Sequence, residues 1–207
     1  MDFYVPMLLA GFAFLGGGIK YIDSVFDEHV FNRNAALVLA GVCGILMGLL
    51  IAIDTYAATV LLSIVLGVAI TSKIDNPAFI AGAVLVIAIP VLVTNSLPLY
   101  FFPLAALVFG GMADELGNNM VDAKRIRNRL AELFFHFRLT METVMGALVL
   151  AGIMPALYWA ALVMFDVSYH VVGGYAERVK MAGVQITKGE DADEVWVRVT
   201  HAGSAAP

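Results

Sequence analysis

Residues 34–72 read NAALVLAGVCGILMGLLIAIDTYAATVLLSIVLGVAITS, and Asp54 is the one charged side chain among them. As a single helix this stretch would be roughly 58 Å long at 1.5 Å per residue. That is about twice the ~30 Å hydrocarbon core of a bilayer. The chain has to turn, and Asp54-Thr55 is the polar break. Two membrane-crossing helices are therefore expected, near 35–53 and 56–72.

The same reading extends outward. Residues 3–19 are free of charge and predict a first span. Residues 76–113 are again uncharged and too long for one crossing. They break at Thr94-Asn95-Ser96-Leu97-Pro98, a turn composition, into spans near 78–94 and 98–113, with Pro90 a kink. Residues 143–165 are uncharged and predict a sixth span, with Pro155 inside it.

The composition agrees. Of 207 residues, 61% are hydrophobic and 14% charged, against about half and about a quarter in a soluble domain. The surplus has to face lipid. The expected fold is an all-α integral membrane protein: a bundle of about six transmembrane helices over 1–172, then a short extramembrane tail over 173–207. In that tail Val184-Gln-Ile-Thr187 and Val195-Trp-Val-Arg-Val199 alternate like the arms of a β-hairpin.

Several classes drop out. A net charge of −5 makes no electrostatic case for nucleic acid. Cys43 is the sole cysteine, so no intrachain disulfide or thiolate metal site forms. The four histidines are not spaced as zinc ligands. The first stretch begins with Asp2 and lacks a basic leader, so it reads as a retained helix.

Positive charge orients the bundle. The first, third and fifth loops hold Lys20, Arg33, Lys73, Lys124, Arg125, Arg127, Arg129 and Arg138, and the N-terminus and other loops before the sixth span hold no Lys or Arg. Those three loops are expected on the cytoplasmic side of a prokaryotic cell membrane, with both termini external. Arg178 and Lys180 sit awkwardly with an external tail. An extra crossing between 154 and 175 would reverse it, at the cost of placing Asp166 in the membrane.

The acidic side chains gather on the same face. Lys20, Asp23 and Asp27 fall on one side of a helix, as do Asp114, Asn118 and Asp122, with Glu115 and Asn119 beside them. Asp23, Asp27, Asp114, Asn118 and Asp122 are the candidate ligands for Mg²⁺ or Mn²⁺, which favour oxygen donors. Lys20, Lys73 and Asp75 are the candidate catalytic residues, the lysines holding a phosphate. Simpler roles compete. Asn76-Pro77 reads as a helix start, Asp54 as a turn residue or a proton relay, and Glu142 and Asp166 as boundary residues. Lys124–Arg138 reads as a basic amphipathic helix on an anionic leaflet.

The two Asp-containing segments resemble the Asp-rich motifs of UbiA-type intramembrane prenyltransferases, without that family's full first motif or span number. In length and span number the chain is similar to the CDP-alcohol phosphotransferases, whose Asp-Gly-x-x-Ala-Arg signature it lacks. No residue role is taken from either. The leading expectation is a divalent-cation-dependent transferase or hydrolase acting on a lipid-linked phosphate or diphosphate, with membrane lipids as partners. The alternatives are a cation-coupled transporter or channel for a small polar solute, and a non-catalytic membrane scaffold.

Overall fold

The computed structural model describes residues 3–70, 77–95, 97, 99–125, 128–136, 139–181, 184–188 and 195–199. Within them the chain forms α1 (Tyr4–Phe26), α2 (Arg33–Ile53), α3 (Thr55–Ile70), α4 (Pro77–Thr94), α5 (Phe101–Asp122), α6 (Arg129–His136), α7 (Leu139–Leu150) and α8 (Ala156–Met181). An antiparallel pair follows, β1 (Val184–Lys188) with β2 (Val195–Val199), in the register Val184 opposite Val199.

The helix ends follow local chemistry. Asn32 caps α2 by accepting from Asn34 N and Ala35 N at 2.8 and 3.3 Å. Asp54 breaks the long apolar run and caps α3, its Oδ1 accepting from Tyr56 N and Ala57 N at 2.8 and 3.0 Å. Pro77 occupies the first position of α4, where its missing N–H is no loss.

The expected sixth span over 143–165 is not one helix. It divides between α7 and α8. Gly152 takes φ +72°, its N–H donates to Val149 O, and Ile153 N–H donates to Leu148 O, both at 2.9 Å. This is a glycine-terminated helix end of the Schellman type. Pro155 has no N–H to continue the ladder, and α8 starts one residue later.

That break adds a helix and changes where the tail leaves. Tyr4 and Tyr158 meet at Asp54 near the starts of α1 and α8. Further along, Gly16 touches Phe165, Gly17 touches Ser168, and Gly173 lies against the stem of Lys20. The two helices therefore run parallel. Their contact is close at Gly16, where an added Cβ would stand 2.0 Å from the carbonyl oxygen of Phe165. Lys180 reaches Glu28 at 3.8 Å, and Tyr175 stacks with Phe31 at 5.8 Å. The end of α8 thus lies at the Lys20–Glu28 end of the bundle, opposite Tyr4. Helix α8 also runs through Gly173-Gly174 to Met181, past the expected boundary at 172.

The same parallel pairing recurs. Along α2 and α4, Gly44 meets Gly82 and Gly48 meets Ile89. In lipid, close contact between such small residues supplies the packing that water would otherwise drive. The interior is filled by Phe12, Leu15, Leu61, Leu107, Met145 and Leu162, all essentially inaccessible. Large apolar side chains also cover the outside. On α2, Val38, Val42, Ile45, Leu49 and Ile53 form one exposed stripe, a surface suited to acyl chains.

Helices α1, α2 and α8 are long and apolar enough to cross a membrane, or four crossings are available if the bent pair α6–α7 counts as one. Helices α3 and α4 are shorter and apolar, so among the described residues the lengths do not yield the expected six. The seven tyrosines sort to the two ends. Tyr4, Tyr56, Tyr100 and Tyr158 stand around Asp54, and Tyr21, Tyr169 and Tyr175 stand around the Lys20–Glu28 segment. Rings at two levels are the pattern of membrane–water interfaces. Tyr4 to Tyr21 spans roughly 26 Å of helix, close to the bilayer core.

Candidate functional site: a carboxyl cluster between α5, α7 and α8

The expected acidic stripes take different partners. Lys20 Nζ bonds Asp23 Oδ2 at 2.8 Å and Glu28 Oε1 at 3.2 Å, and sits 5.6 Å from the Tyr169 ring centroid. The Tyr169 hydroxyl donates to Asp23 at 3.5 Å. Asp27 ends α1, its backbone N–H donating to Asp23 O at 2.9 Å. Two lysines and two of the three acids at the end of α1 therefore balance one another across the α1–α8 contact.

Asp114 lies elsewhere, 2% exposed inside the bundle. Its Oδ1 accepts from Thr140 N at 2.9 Å and its Oδ2 from Met141 N at 2.8 Å. A carboxylate of α5 thus caps the first turn of α7, where the helix dipole favours negative charge. Asn118 follows one turn later and is half-buried. Lys73, Asp75 and the side chain of Asp122 lie outside the described residues. Among the described residues, no three His, Cys, Asp or Glu side chains are grouped to hold a metal ion.

Asp54 is engaged on both oxygens. Besides the cap of α3, its Oδ2 accepts from the hydroxyls of Tyr4 and Tyr158. Tyr56 stands 5.1 Å from the Tyr158 ring and 4.9 Å from that of Tyr100. This carboxylate ties the starts of α1, α3 and α8 together, the turn role expected for it.

A further grouping joins residues that the sequence leaves apart. Glu115, 6% exposed, adjoins Asp114. The two, with Ser63, Met141 and Asp166, line a cavity of about 30 Å³ between α3, α5, α7 and α8, room for a water or two. Asp166 also borders a cleft of about 800 Å³ whose wall includes Phe134, Glu142, Trp159 and His170. Trp159 Nε1 donates to Glu142 Oε2 at 2.8 Å. His170 lies one turn beyond Asp166 on α8. Four carboxyl groups therefore flank two adjoining spaces, with Asp166 at the junction.

A signal for this was present. Glu142 and Asp166 each lie twelve residues from Met154. Once Gly152-Ile-Met-Pro155 is a turn, an antiparallel hairpin sets them opposite one another. Read as the ends of a single span, they seem a membrane thickness apart.

No family model, curated protein or solved structure matches this chain. The functional reading accordingly rests on the site itself.

Proposed function

We propose that the protein is a proton- or cation-coupled membrane transporter for a small polar solute, with Asp166 as its coupling residue. The observation that carries this reading is the placement of Asp114 and Glu115, both buried, on a small internal cavity and of Glu142 and Asp166, both half-buried, on the open cleft beside it. Ionisable groups within an apolar bundle are costly and are characteristic of ion and proton paths. Asp166 belongs to both spaces, so a proton or cation can pass between them through one side chain. The lipid-phosphate reading, with Mg²⁺ or Mn²⁺ held by both acidic stripes, is less favoured. Lys20 is committed to Asp23 and Glu28, and both Asp114 oxygens to α7.

In proteoliposomes, wild type should dissipate an imposed pH gradient, and Asp166→Asn should reduce that flux at least about tenfold, the range expected for loss of a positioned proton carrier. Flux equal to empty liposomes would sink the proposal. Turnover of a lipid diphosphate requiring Mg²⁺ would return the enzyme reading in its place.

We place the Lys20–Glu28 end on the cytoplasmic side. All the described Lys and Arg residues of the helices lie towards it, now joined by Arg178 and Lys180. Helices α3, α4, α5 and α7 then complete crossings in alternating direction. In a Cys43→Ala background, cysteines replacing His29 or Ile126 should stay unlabelled by an impermeant reagent on intact cells, and one replacing Ser96 should react. Labelling at 29 but not 96 would invert the orientation.

A further inference from the structure

The basic run after α5 remains outside this mechanism, and its geometry is specific. Helix α5 ends with Lys124 at φ +55°, and Arg125 N–H returns to Met120 O at 2.9 Å. Helix α6 follows, and Asn128 caps it, its side chain accepting from Leu130 N at 2.9 Å. Helix α6 lies at 72° to α7. With α7 running along the bundle, α6 lies close to the plane of the membrane.

Its two faces differ in chemistry. Leu130 and Leu133 are 77% and 54% exposed, and Phe134 follows on the same side. Arg129 and Glu132 fall on the other side by helical spacing. Lys124, Arg125 and Arg129 are exposed. Residues 124–138 carry five Lys or Arg against the one acid, Glu132. Phe135 holds the helix to the bundle, for an added Cβ on Gly117 of α5 would stand 2.1 Å from its ring. The apolar side chains left over belong in the acyl boundary and the cations among headgroup phosphates.

We propose that α6 and the basic run before it form a binding surface for anionic phospholipid. This does not depend on the transport reading. It bears on the same cleft, because Phe134 is part of that wall, so lipid bound along α6 holds the wall in place.

The test uses the full chain in lipid nanodiscs, of phosphatidylcholine alone or with phosphatidylglycerol added, read by hydrogen–deuterium exchange of peptides covering 128–136. Exchange should be about tenfold slower or more in the anionic discs, given the attraction of each cation to such a surface. High salt should remove the difference, as should Lys124→Gln/Arg125→Gln/Arg129→Gln. Equal exchange in the two disc types overturns the proposal. So does a difference that persists in high salt, a result readable on wild type even where the triple variant folds poorly.

Discussion

Gly16→Ala should separate α1 from α8 and lower stability by about 3 kcal/mol, at the upper end of overpacking effects. The new methyl would stand 2.0 Å from the backbone carbonyl oxygen of Phe165. No rotamer change relieves a clash with main chain, so the helices must move apart by an ångström or more. The movement would reach further than the contact, because Asp166 follows Phe165 directly and borders both cavities. Proton flux should therefore fall along with stability. Gly41→Ala is the matching control. It sits in α2 with nothing within 4 Å of its added Cβ, so it should raise stability by roughly 0.5–1 kcal/mol through the better helix propensity of alanine. Unfolding of both variants in mixed micelles decides the matter. Equal midpoints for the two would refute the close-contact account of α1 and α8.

Asp114→Ala should be comparably damaging, for a different reason. The carboxylate accepts two backbone N–H groups, the part-buried one of Thr140 and the buried one of Met141, at 2.9 and 2.8 Å. Removing it strands both donors. A hydrogen bond to a charged group contributes about 1.5–3 kcal/mol, so a loss of about 3 kcal/mol or more follows, some of it recoverable if water enters. Asp114→Asn keeps one acceptor oxygen and should lose roughly half as much. The first turn of α7 should fray in the alanine variant, with amide exchange at Thr140 and Met141 quickening more than at Leu148. If alanine proves no worse than asparagine, or exchange at those two amides is unchanged, the capping role is wrong.

The reading of individual elements shows what local sequence carries. Asp54 was legible as a break because one carboxylate among 39 residues cannot remain in lipid when the chain is already too long to cross once. The break at Gly152-Ile-Met-Pro155 was equally local, a glycine helix stop followed by a proline. It was missed because counting uncharged residues weighs only the cost of burying charge. Gly, Ile, Met and Pro are all cheap in lipid, yet the backbone conformation of Gly152 ends the helix regardless.

The site depends on that break. With 143–165 as one span, Glu142 and Asp166 stood at opposite membrane faces and read as boundary residues. The hairpin turned them towards each other. In the same way, the acidic stripes of α1 and α5 shared a face in sequence, but only the α1 stripe had its partners within local reach. Lys20 found Asp23 and Glu28 within its own helix end, whereas Asp114 found the start of α7, 26 residues on.

What the sequence by itself determined is the apolar helical character, the turn at Asp54 and the gathering of positive charge towards one end. Each follows from a cost paid residue by residue, the transfer of charge or backbone polarity into lipid, so composition and spacing suffice. Only the tertiary structure decided that α8 runs parallel to α1, that α8 ends at the Lys20 end, and that four carboxyl groups line a small internal cavity and the open cleft beside it. Those depend on which helices touch. That choice turns on shape, such as the missing side chain at Gly16 opposite Phe165, and it becomes defined only when both surfaces are present together.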